Sequence, residues 1–288
     1  MHQSVLITGA SSGIGEACAV HLAHKGFRVY AAARRAEKLR ELEGIAGGRI
    51  TPLALDVTVE ASVKNAMARI AEDGSTLFGL VNNAGISVMG PIEDTSIDDW
   101  RRQYETNVFG LVRMTQAVLP QMREAGRGRI VNIGSVAGRI AAPFQGVYAS
   151  SKHALEGLTD SLRREVAPFG VKVSLVRPGF INTPFGAHEQ EALQKHVDAD
   201  GPYADAVHSF KLWHAKGHPT APGPSVVAEA VHAALTAEHP HSRYSAPFRI
   251  VGSLILRNIL PSAVTDRILA RVFGLDGVAG KANKNKAG

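Results

Sequence analysis

A strand, a glycine-rich turn and a helix follow one another at the start of the chain. Residues 5–8 are a short apolar, β-prone run, residues 9–15 are Gly-Ala-Ser-Ser-Gly-Ile-Gly, and apolar residues then recur with helical period. Glycines allow a tight turn and a close approach to a pyrophosphate, and a helix N-terminus offers amide donors to its negative charge. This context predicts phosphate binding at Gly9, Gly13 and Gly15 rather than a simple left-handed turn. The spacing differs by one residue from the usual dinucleotide fingerprint.

Strand-like and helix-like segments keep alternating along the chain. Further β-prone runs lie at residues 28–33, 51–57, 77–81, 129–135, 171–176 and, as a candidate last strand, 242–248. The alternation predicts parallel βαβ units of the α/β class, in which ligands bind at the carboxyl ends of the strands. With 288 residues and no linker-like tract, we interpret residues 1–288 as one domain.

The end of the second predicted strand is where a dinucleotide-binding sheet contacts the adenosine ribose. An acidic residue there accepts a hydrogen bond from a free 2′-hydroxyl, whereas an arginine balances a 2′-phosphate. This chain has Ala33, Arg34 and Arg35 at that position, so no carboxylate repels a phosphate and two guanidiniums offer forked donors. These residue types favour NADP(H) over NAD(H), with Arg34 the better candidate. The alternative is that one or both arginines are merely exposed at the start of a helix.

The third and fourth predicted strands also end in polar or small residues. Asp56 and Val57 close the third strand, and Asn83, Ala84 and Gly85 follow the fourth. Because the carboxyl ends of parallel strands meet at one edge of the sheet, we expect Asp56 beside the adenine. The small loop 83–85 then lets backbone pack against the cofactor.

A tyrosine and a lysine carry the predicted chemistry. Tyr148 and Lys152 fall on one face of a predicted helix whose apolar residues recur at Ala154, Leu155, Leu158 and Leu162. A free tyrosine titrates near ~10, and an adjacent fixed cation lowers that pKa. Tyr148 is therefore predicted to act as a general acid/base, the alternative being a chance pair on a solvated helix face. Ser135 ends the fifth predicted strand at the same sheet edge.

Taken in order, these residues resemble the short-chain dehydrogenase/reductase family. The resemblance covers residues 4–184 continuously, and Gly134 stands where the family often has a second serine. The matching motifs are Thr8-Gly9-x-x-x-Gly13-x-Gly15, Asp56, Asn82-Asn83-Ala84-Gly85, Asn107, Ser135, Tyr148-x-x-x-Lys152, and Pro178-Gly179 with Thr183.

The resemblance implies a Rossmann-like, doubly wound, seven-stranded parallel sheet with helices on both faces. It implies that Tyr148 exchanges a proton with the substrate oxygen and that Ser135 hydrogen-bonds the same oxygen. Lys152 would lower the pKa of Tyr148 and hold the nicotinamide ribose, and Asn107, inside a long helical pattern at 100–121, would anchor a water of the proton relay. Further expected cofactor contacts are Ser11, Ser12, Ile14, Pro178, Gly179, Ile181 and Thr183.

The expected reaction is NADP(H)-dependent interconversion of an alcohol and its carbonyl form. Residues 91–93, 143–148 and 153–157 resemble the branch with 17β-hydroxysteroid and retinol dehydrogenases, which implies a bulky, apolar alcohol or ketone, steroid- or retinoid-like, as the small-molecule substrate. Substrate choice depends on pocket walls that this likeness does not fix. The alternative function is a non-catalytic NADP(H)-binding regulator on the same fold.

The last third of the chain carries weaker signals. Residues 184–224 are polar and irregular and begin where the family places its substrate lid; their histidines, including His188 and His214, are interpreted as solvated. Phe210, Leu212 and Trp213 close on an apolar substrate or pack the lid onto the body. Apolar stripes at 250–275, split by Pro261, predict a helical extension that packs on the chain, joins a subunit interface or touches a membrane. The basic tail 279–288 is predicted to be disordered.

Composition disfavours several other classes. The net charge of +6 is modest and its scattered residues form no nucleic-acid-binding face, and no histidine spacing predicts a metal site. A single cysteine, Cys18, fits a reducing compartment and a place in the core. The first residues leave no room for a signal peptide. We therefore predict a cytoplasmic protein with at most peripheral membrane contact, and the resemblance implies a homodimer or homotetramer.

Overall fold

The computed structural model describes residues 3–35, 37–199, 201–217, 220–252, 254 and 259–278. Its centre is a seven-stranded sheet in the order β3-β2-β1-β4-β5-β6-β7, with every neighbouring pair parallel. The strands are β1 (Ser4–Thr8), β2 (Arg28–Ala33), β3 (Ile50–Ala54), β4 (Leu77–Asn82), β5 (Gly128–Ile133), β6 (Val171–Pro178) and β7 (Arg243–Ala246). Each predicted strand is present, and the predicted Rossmann-like α/β fold is confirmed.

Helices cover both faces of the sheet. They are α1 (Gly13–His24), α2 (Glu37–Arg40), α3 (Glu60–Glu72), α4 (Ile97–Tyr104), α5 (Gly110–Glu124), α6 (Gly146–Val166), α7 (Pro184–Asp198), α8 (Ala204–Gly217), α9 (Ser225–Thr236) and α10 (Ser262–Val272). Successive strand residues point to opposite faces, so Val5 and Ile7 pack in one core cluster with α1 and α9. Leu6 packs in the other cluster with α3, α5 and α6.

The strand order reverses between β1 and β4. From β1 the chain winds outward to β2 and β3, and from β4 it winds the other way to β5, β6 and β7. The loops after β1 and β4 therefore separate and leave a crevice at the carboxyl edge of the sheet. In open α/β sheets this switch point is where ligands bind.

The helix predicted over residues 100–121 is interrupted. Helix α4 ends at Tyr104, a π-helical segment runs from Glu105 to Phe109, and α5 begins at Gly110. Single π turns inside α-helices frequently occur at functional sites. The wider turn contains Asn107, whose buried amide bonds the backbone of Ile86. Sequence periodicity did not predict this break, because apolar residues continue on both sides of it.

Buried ion pairs fix α6 to the edge of the sheet. The Glu156 carboxylate accepts hydrogen bonds from Arg177 at 2.6 and 2.7 Å and from Arg243 at 3.1 Å. Arg243 also donates to Asp160 at 2.8 Å, and Asp160 accepts a further bond from Arg163. These hydrogen bonds to arginine hold the pKa of Asp160 far below its usual range. Helix α6, which carries Tyr148 and Lys152, is thereby held against β6 and β7.

The segment expected to be irregular is largely helical. Helices α7 and α8 occupy most of residues 184–217, and their apolar faces bury Leu193, Val207 and Phe210 completely. His214, interpreted from sequence as solvated, is only 1% exposed, so that interpretation is wrong. The many histidines of this segment led to a prediction of irregular structure, although its apolar residues have an amphipathic pattern. In the structure these apolar residues pack against Met89 and Phe144.

The C-terminal extension places one helix over the body. Phe273 is buried among residues of α7 and α8, whereas Val264, Ile268 and Val272 of α10 stay exposed. Residues 253, 255–258 and the predicted basic tail 279–288 lie outside the described residues. Within the described part of the chain, every helix is too short or too polar to cross a bilayer. Cys18 is fully buried, as predicted, and burial raises its pKa to about 12.

Candidate active site

One cavity of about 720 Å³ follows the carboxyl edge of the sheet. The predicted cofactor residues in its wall are Gly9, Ser11, Ser12, Gly13, Ile14, Arg34, Arg35, Asp56, Val57, Asn83, Ala84, Gly85, Tyr148, Lys152, Pro178, Gly179, Ile181 and Thr183. Ser135 joins them, so residues far apart in sequence converge on one space. Gly15 and Asn107 do not line the cavity. Each contacts a residue that does, Gly15 packing against Gly9 and Asn107 bonding Ile86.

The glycine turn after β1 is shaped as a dinucleotide phosphate would require. Gly9 and Gly13 adopt φ values of +67° and +59°, which favour residues without a Cβ. A Cβ on Gly15 would lie 2.3 Å from the carbonyl oxygen of Gly9, so this glycine permits the turn to close onto α1. The Ser12 hydroxyl makes no capping bond to α1. The helix N-terminus therefore faces a small-residue cradle, and these residues fit the phosphates of a dinucleotide.

Asn83 ties the loop after β4 to the end of β1. Its Nδ2 donates to the carbonyl oxygens of Thr8 at 3.0 Å and Gly9 at 3.1 Å. The Thr8 hydroxyl accepts hydrogen bonds from the amides of Asn83 and Ala84, each at 3.0 Å. The Asn83 amide group thus holds the two sides of the crevice at fixed separation.

Arg34 and Arg35 follow β2 at one end of the cavity. Both are exposed, whereas Ala33 before them is buried. No ion pair to a described residue is formed by either guanidinium, so both can meet a ligand. Asp56 lies nearby in the same wall, and its Oδ1 accepts from the Thr58 amide at 2.9 Å and the Thr58 hydroxyl at 2.7 Å.

Ser135 and Tyr148 meet at the centre of the cavity. Ser135 leads from β5 into a short turn, and its Oγ accepts a hydrogen bond from the Ala137 amide at 3.1 Å. Tyr148 lies in the first turn of α6 and hydrogen-bonds Ser135. Burial raises the pKa of Tyr148 far above its usual value, the charge of Glu189 raises it further, and the bond to Ser135 lowers it. The phenol is therefore held in its protonated form, ready to donate.

Lys152 lies one helical turn from Tyr148, as predicted. Its Nζ donates to the carbonyl oxygen of Ile133 at 2.8 Å and lies 5.7 Å from the centroid of the Tyr148 ring. Burial lowers the pKa of Lys152 to about 8. We expected the ammonium to lower the pKa of Tyr148, but in this structure that pKa is raised. The reason is that both groups are desolvated and the ammonium is bonded to Ile133.

Asn107 supports the site from behind. Its Oδ1 accepts from the Ile86 amide at 2.9 Å, and its Nδ2 donates to the Ile86 carbonyl at 3.0 Å and to Ser151 Oγ at 3.3 Å. Ser151 in turn donates to the carbonyl oxygen of Tyr148 at 2.7 Å. The side chain thus links the loop after β4 to the helix that carries Tyr148. Its expected role in anchoring a water stays a prediction.

Gln103 belongs to the same hydrogen-bond network as Asn107, and the sequence did not predict this role. It is fully buried; its Oε1 accepts from the Val88 amide at 2.8 Å, and its Nε2 donates to the Ile86 carbonyl at 2.9 Å and Ser151 Oγ at 3.2 Å. A glutamine among charged residues of a helix gives no sequence signal for such a role. Only the packing of α4 against α6 makes its amide a link.

We predict that Gln103→Leu destabilises the protein by about 2 kcal/mol, because the buried Val88 amide loses its acceptor. Urea unfolding followed by circular dichroism measures this loss. Gln116→Leu is the matched control, since Gln116 is exposed on α5 and its loss should change stability by less than about 0.5 kcal/mol. Equal stability of the two variants would contradict the role given to Gln103.

The other half of the cavity is largely apolar and comes from parts of the chain with weak sequence signals. Its residues are Ile140, Ala142, Phe180, Phe185, Trp213, Ile250, Leu269 and Phe273, together with the polar Gln145, His188, Glu189 and His214. Helices α7 and α8 supply several of them, so the segment expected to be a lid does border the site. Of the three apolar residues expected there, Trp213 reaches the wall, Phe210 is core and Leu212 is half exposed.

The sequence profile for short chain dehydrogenases matches residues 3–194, about two thirds of the chain. The chain belongs to the short-chain dehydrogenase family. It is therefore an oxidoreductase, and the resemblance inferred from its motifs is confirmed. The family match ends within α7, and four apolar residues of the cavity wall lie beyond it: Trp213, Ile250, Leu269 and Phe273.

Two curated relatives align along most of the chain. The uncharacterized oxidoreductase YbbO of Escherichia coli is 36% identical over 271 residues, covering 93% of this chain and 94% of the relative. Human retinol dehydrogenase 5 is 37% identical over 286 residues, covering 93% and 88%.

Solved structures of family members contain either cofactor. Serine dehydrogenase in its closed form with NADP+ has a TM-score of 0.73 and 30% identity, covering 84% of this chain and 94% of its own. A short-chain dehydrogenase from Burkholderia phymatum with NAD has a TM-score of 0.77 and 25% identity, covering 89% and 93%. Both cofactors thus occur on this fold.

Proposed function

We propose that this short-chain dehydrogenase is an NADP(H)-dependent enzyme that acts on an apolar substrate. It interconverts a secondary alcohol and its ketone, or an aldehyde and its alcohol. The observation that carries the proposal is the convergence of Ser135, Tyr148 and Lys152 on one cavity with the glycine turn and Arg34. A non-catalytic regulator would not need this set, so the alternative function has no support in the site.

The chain's own residues account for placement and proton transfer. When bound, the nicotinamide supplies or takes up the hydride. Ser135 and Tyr148 hydrogen-bond the substrate oxygen and polarise the carbonyl, and in reduction the neutral Tyr148 phenol donates its proton to that oxygen. Lys152 would hold the nicotinamide ribose and would supply positive charge beside Tyr148 when the phenolate forms. The reverse proton transfers complete alcohol oxidation.

The preference for NADP(H) rests on charge at the end of β2. Two exposed guanidiniums face the cavity there, and the residue before them is Ala33 rather than an acid. A 2′-phosphate gains forked, charge-assisted hydrogen bonds from arginine, whereas a carboxylate at this point would repel it. Cells generally keep this cofactor reduced, so we propose carbonyl reduction as the physiological direction.

The apolar substrate is supported by the aromatic half of the cavity. The ring centroids of Phe185 and Tyr148 are 6.1 Å apart, and those of Phe180 and Trp213 are 5.4 Å apart. Aromatic walls of this kind bury large apolar ligands. Steroids and retinoids are the proposed first classes to examine.

The test is NADPH oxidation across a panel of steroids, retinoids, aromatic ketones and sugars, followed by absorbance of the reduced nicotinamide. We expect turnover of apolar ketones and little turnover of sugars, because the substrate half of the wall offers few polar groups. Faster turnover of sugars than of every apolar ketone would contradict the proposed substrate class. NADH consumption equal to that of NADPH would contradict the proposed cofactor.

We further propose a cytoplasmic homodimer or homotetramer, as expected from the family resemblance, and we propose that its subunits pair through α5 and α6. Phe109, immediately before α5, is 51% exposed, and Phe169, after α6, is 45% exposed, which supports this pairing. Light scattering after size-exclusion chromatography measures the mass, and a monomer at micromolar concentration would contradict the proposal.

A further inference from the structure

A buried carboxylate lies in the substrate half of the cavity wall. Glu189 on α7 is 6% exposed, and His214 on α8 is 1% exposed. The Glu189 Oε2 and His214 Nε2 atoms are 3.1 Å apart. Glu189 and Tyr148 line the same cavity, and the charge of Glu189 raises the pKa of the phenol. The reaction as proposed above makes no use of this group.

Hydrogen bonds fix the tautomer of His214. Gln190 Nε2 lies 3.4 Å from the carbonyl oxygen of Lys211 and 2.7 Å from His214 Nδ1. A carbonyl oxygen can only accept, so the Gln190 nitrogen faces both groups and donates to each. His214 Nδ1 is then an acceptor and its single ring proton is on Nε2, where it is donated to Glu189.

In the described part of the chain, Glu189 has the His214 imidazole beside its carboxyl group but neither an arginine nor a lysine. Among the described residues, His214 is the only group within ion-pair distance of its carboxylate. Burying a carboxylate without a cation costs several kcal/mol, and a protein recovers that cost when a ligand supplies the positive charge. The neighbouring rings of Phe180, Phe185 and Trp213 also favour a cation over a neutral donor.

We infer that Glu189 anchors a protonated amine of the substrate, carried within a few bonds of the carbon that reacts. The substrate class is then apolar amino alcohols and the corresponding amino ketones, with the hydrocarbon part in the aromatic half of the cavity. This inference rests on the proposed function, which supplies the reaction. It adds that the substrate carries an amine beside its alcohol group.

The first test compares oxidation of a vicinal amino alcohol with a dodecyl chain and of the same secondary alcohol without the amine, using NADP+ near neutral pH. A buried charge pair predicts that the wild-type protein prefers the amine by at least about 30-fold in kcat/KM. Glu189→Gln should abolish the preference; because any effect of the lost charge on Tyr148 is common to both substrates, the ratio of the two kcat/KM values isolates the amine contact. Glu189→Asp should retain part of it.

Glu191→Gln is the matched control, because Glu191 is an exposed neighbour on α7. Thermal unfolding separates a binding role from a structural one. Since Glu189→Gln removes a buried charge and keeps an acceptor for His214, the variant should be at least as stable as the wild type. No preference for the amine in the wild type, or a preference that survives Glu189→Gln, would overturn the inference.

A binding measurement tests whether Glu189 binds an amine, independently of turnover. Calorimetric titration of dodecylamine into the wild-type protein with NADP+ should show binding that dodecanol does not match and that Glu189→Gln loses. Equal binding by the two proteins would overturn the amine site. If dodecylamine binds as expected while neither alcohol is oxidised, the proposed reaction fails and the amine site stands.

Discussion

Replacing Tyr148 by phenylalanine is expected to lower kcat by at least about 100-fold, because the substrate oxygen loses its proton donor. The affinity for NADPH should stay nearly unchanged, since Phe keeps the ring that packs against Phe185 and removes only the hydroxyl. Steady-state kinetics measures the first quantity, and quenching of intrinsic fluorescence by NADPH measures the second.

Tyr104→Phe is the matched control for this experiment. Tyr104 ends α4 and is not part of the cavity wall, so loss of its hydroxyl should leave both quantities as they are. If Tyr148→Phe kept substantial turnover, the proton would have to come from another group, and the role proposed for Tyr148 would be wrong.

The second large effect is expected at Arg34. Arg34→Ala should weaken NADPH binding by about 10- to 100-fold, because a charge-assisted hydrogen bond to the 2′-phosphate is lost. NADH has no phosphate at that position, so its binding should change little. Titration of both cofactors into both proteins gives the ratio that decides the role.

Salt provides an independent check of the same contact. Since Arg34 and Arg35 are exposed, their attraction for a phosphate should weaken as ionic strength rises. Arg40→Ala is the matched control, because Arg40 is exposed on α2 and does not line the cavity. Equal losses of NADPH and NADH affinity in Arg34→Ala would mean that the 2′-phosphate is bound elsewhere.

The pKa of Tyr148 is raised, whereas the sequence predicted that it is lowered. The helical spacing of Tyr148 and Lys152 was enough to place both groups on one face. The spacing did not give their burial, the bond from Lys152 to Ile133 at 2.8 Å, or the nearby charge of Glu189. Each of these depends on what packs against α6 rather than on α6 itself.

The sequence by itself determined the order of the seven strands, the glycine turn at Gly9 and the presence of Ser135, Tyr148 and Lys152. These signals are local, since periodicity, turn chemistry and short motifs act over a few residues. Only the tertiary structure decided that Gln103 bonds Ser151, 48 residues away, and that Glu189 meets His214 inside the cavity. Such contacts depend on burial and on pairings between distant segments, for which neighbouring residues in the chain carry no pattern.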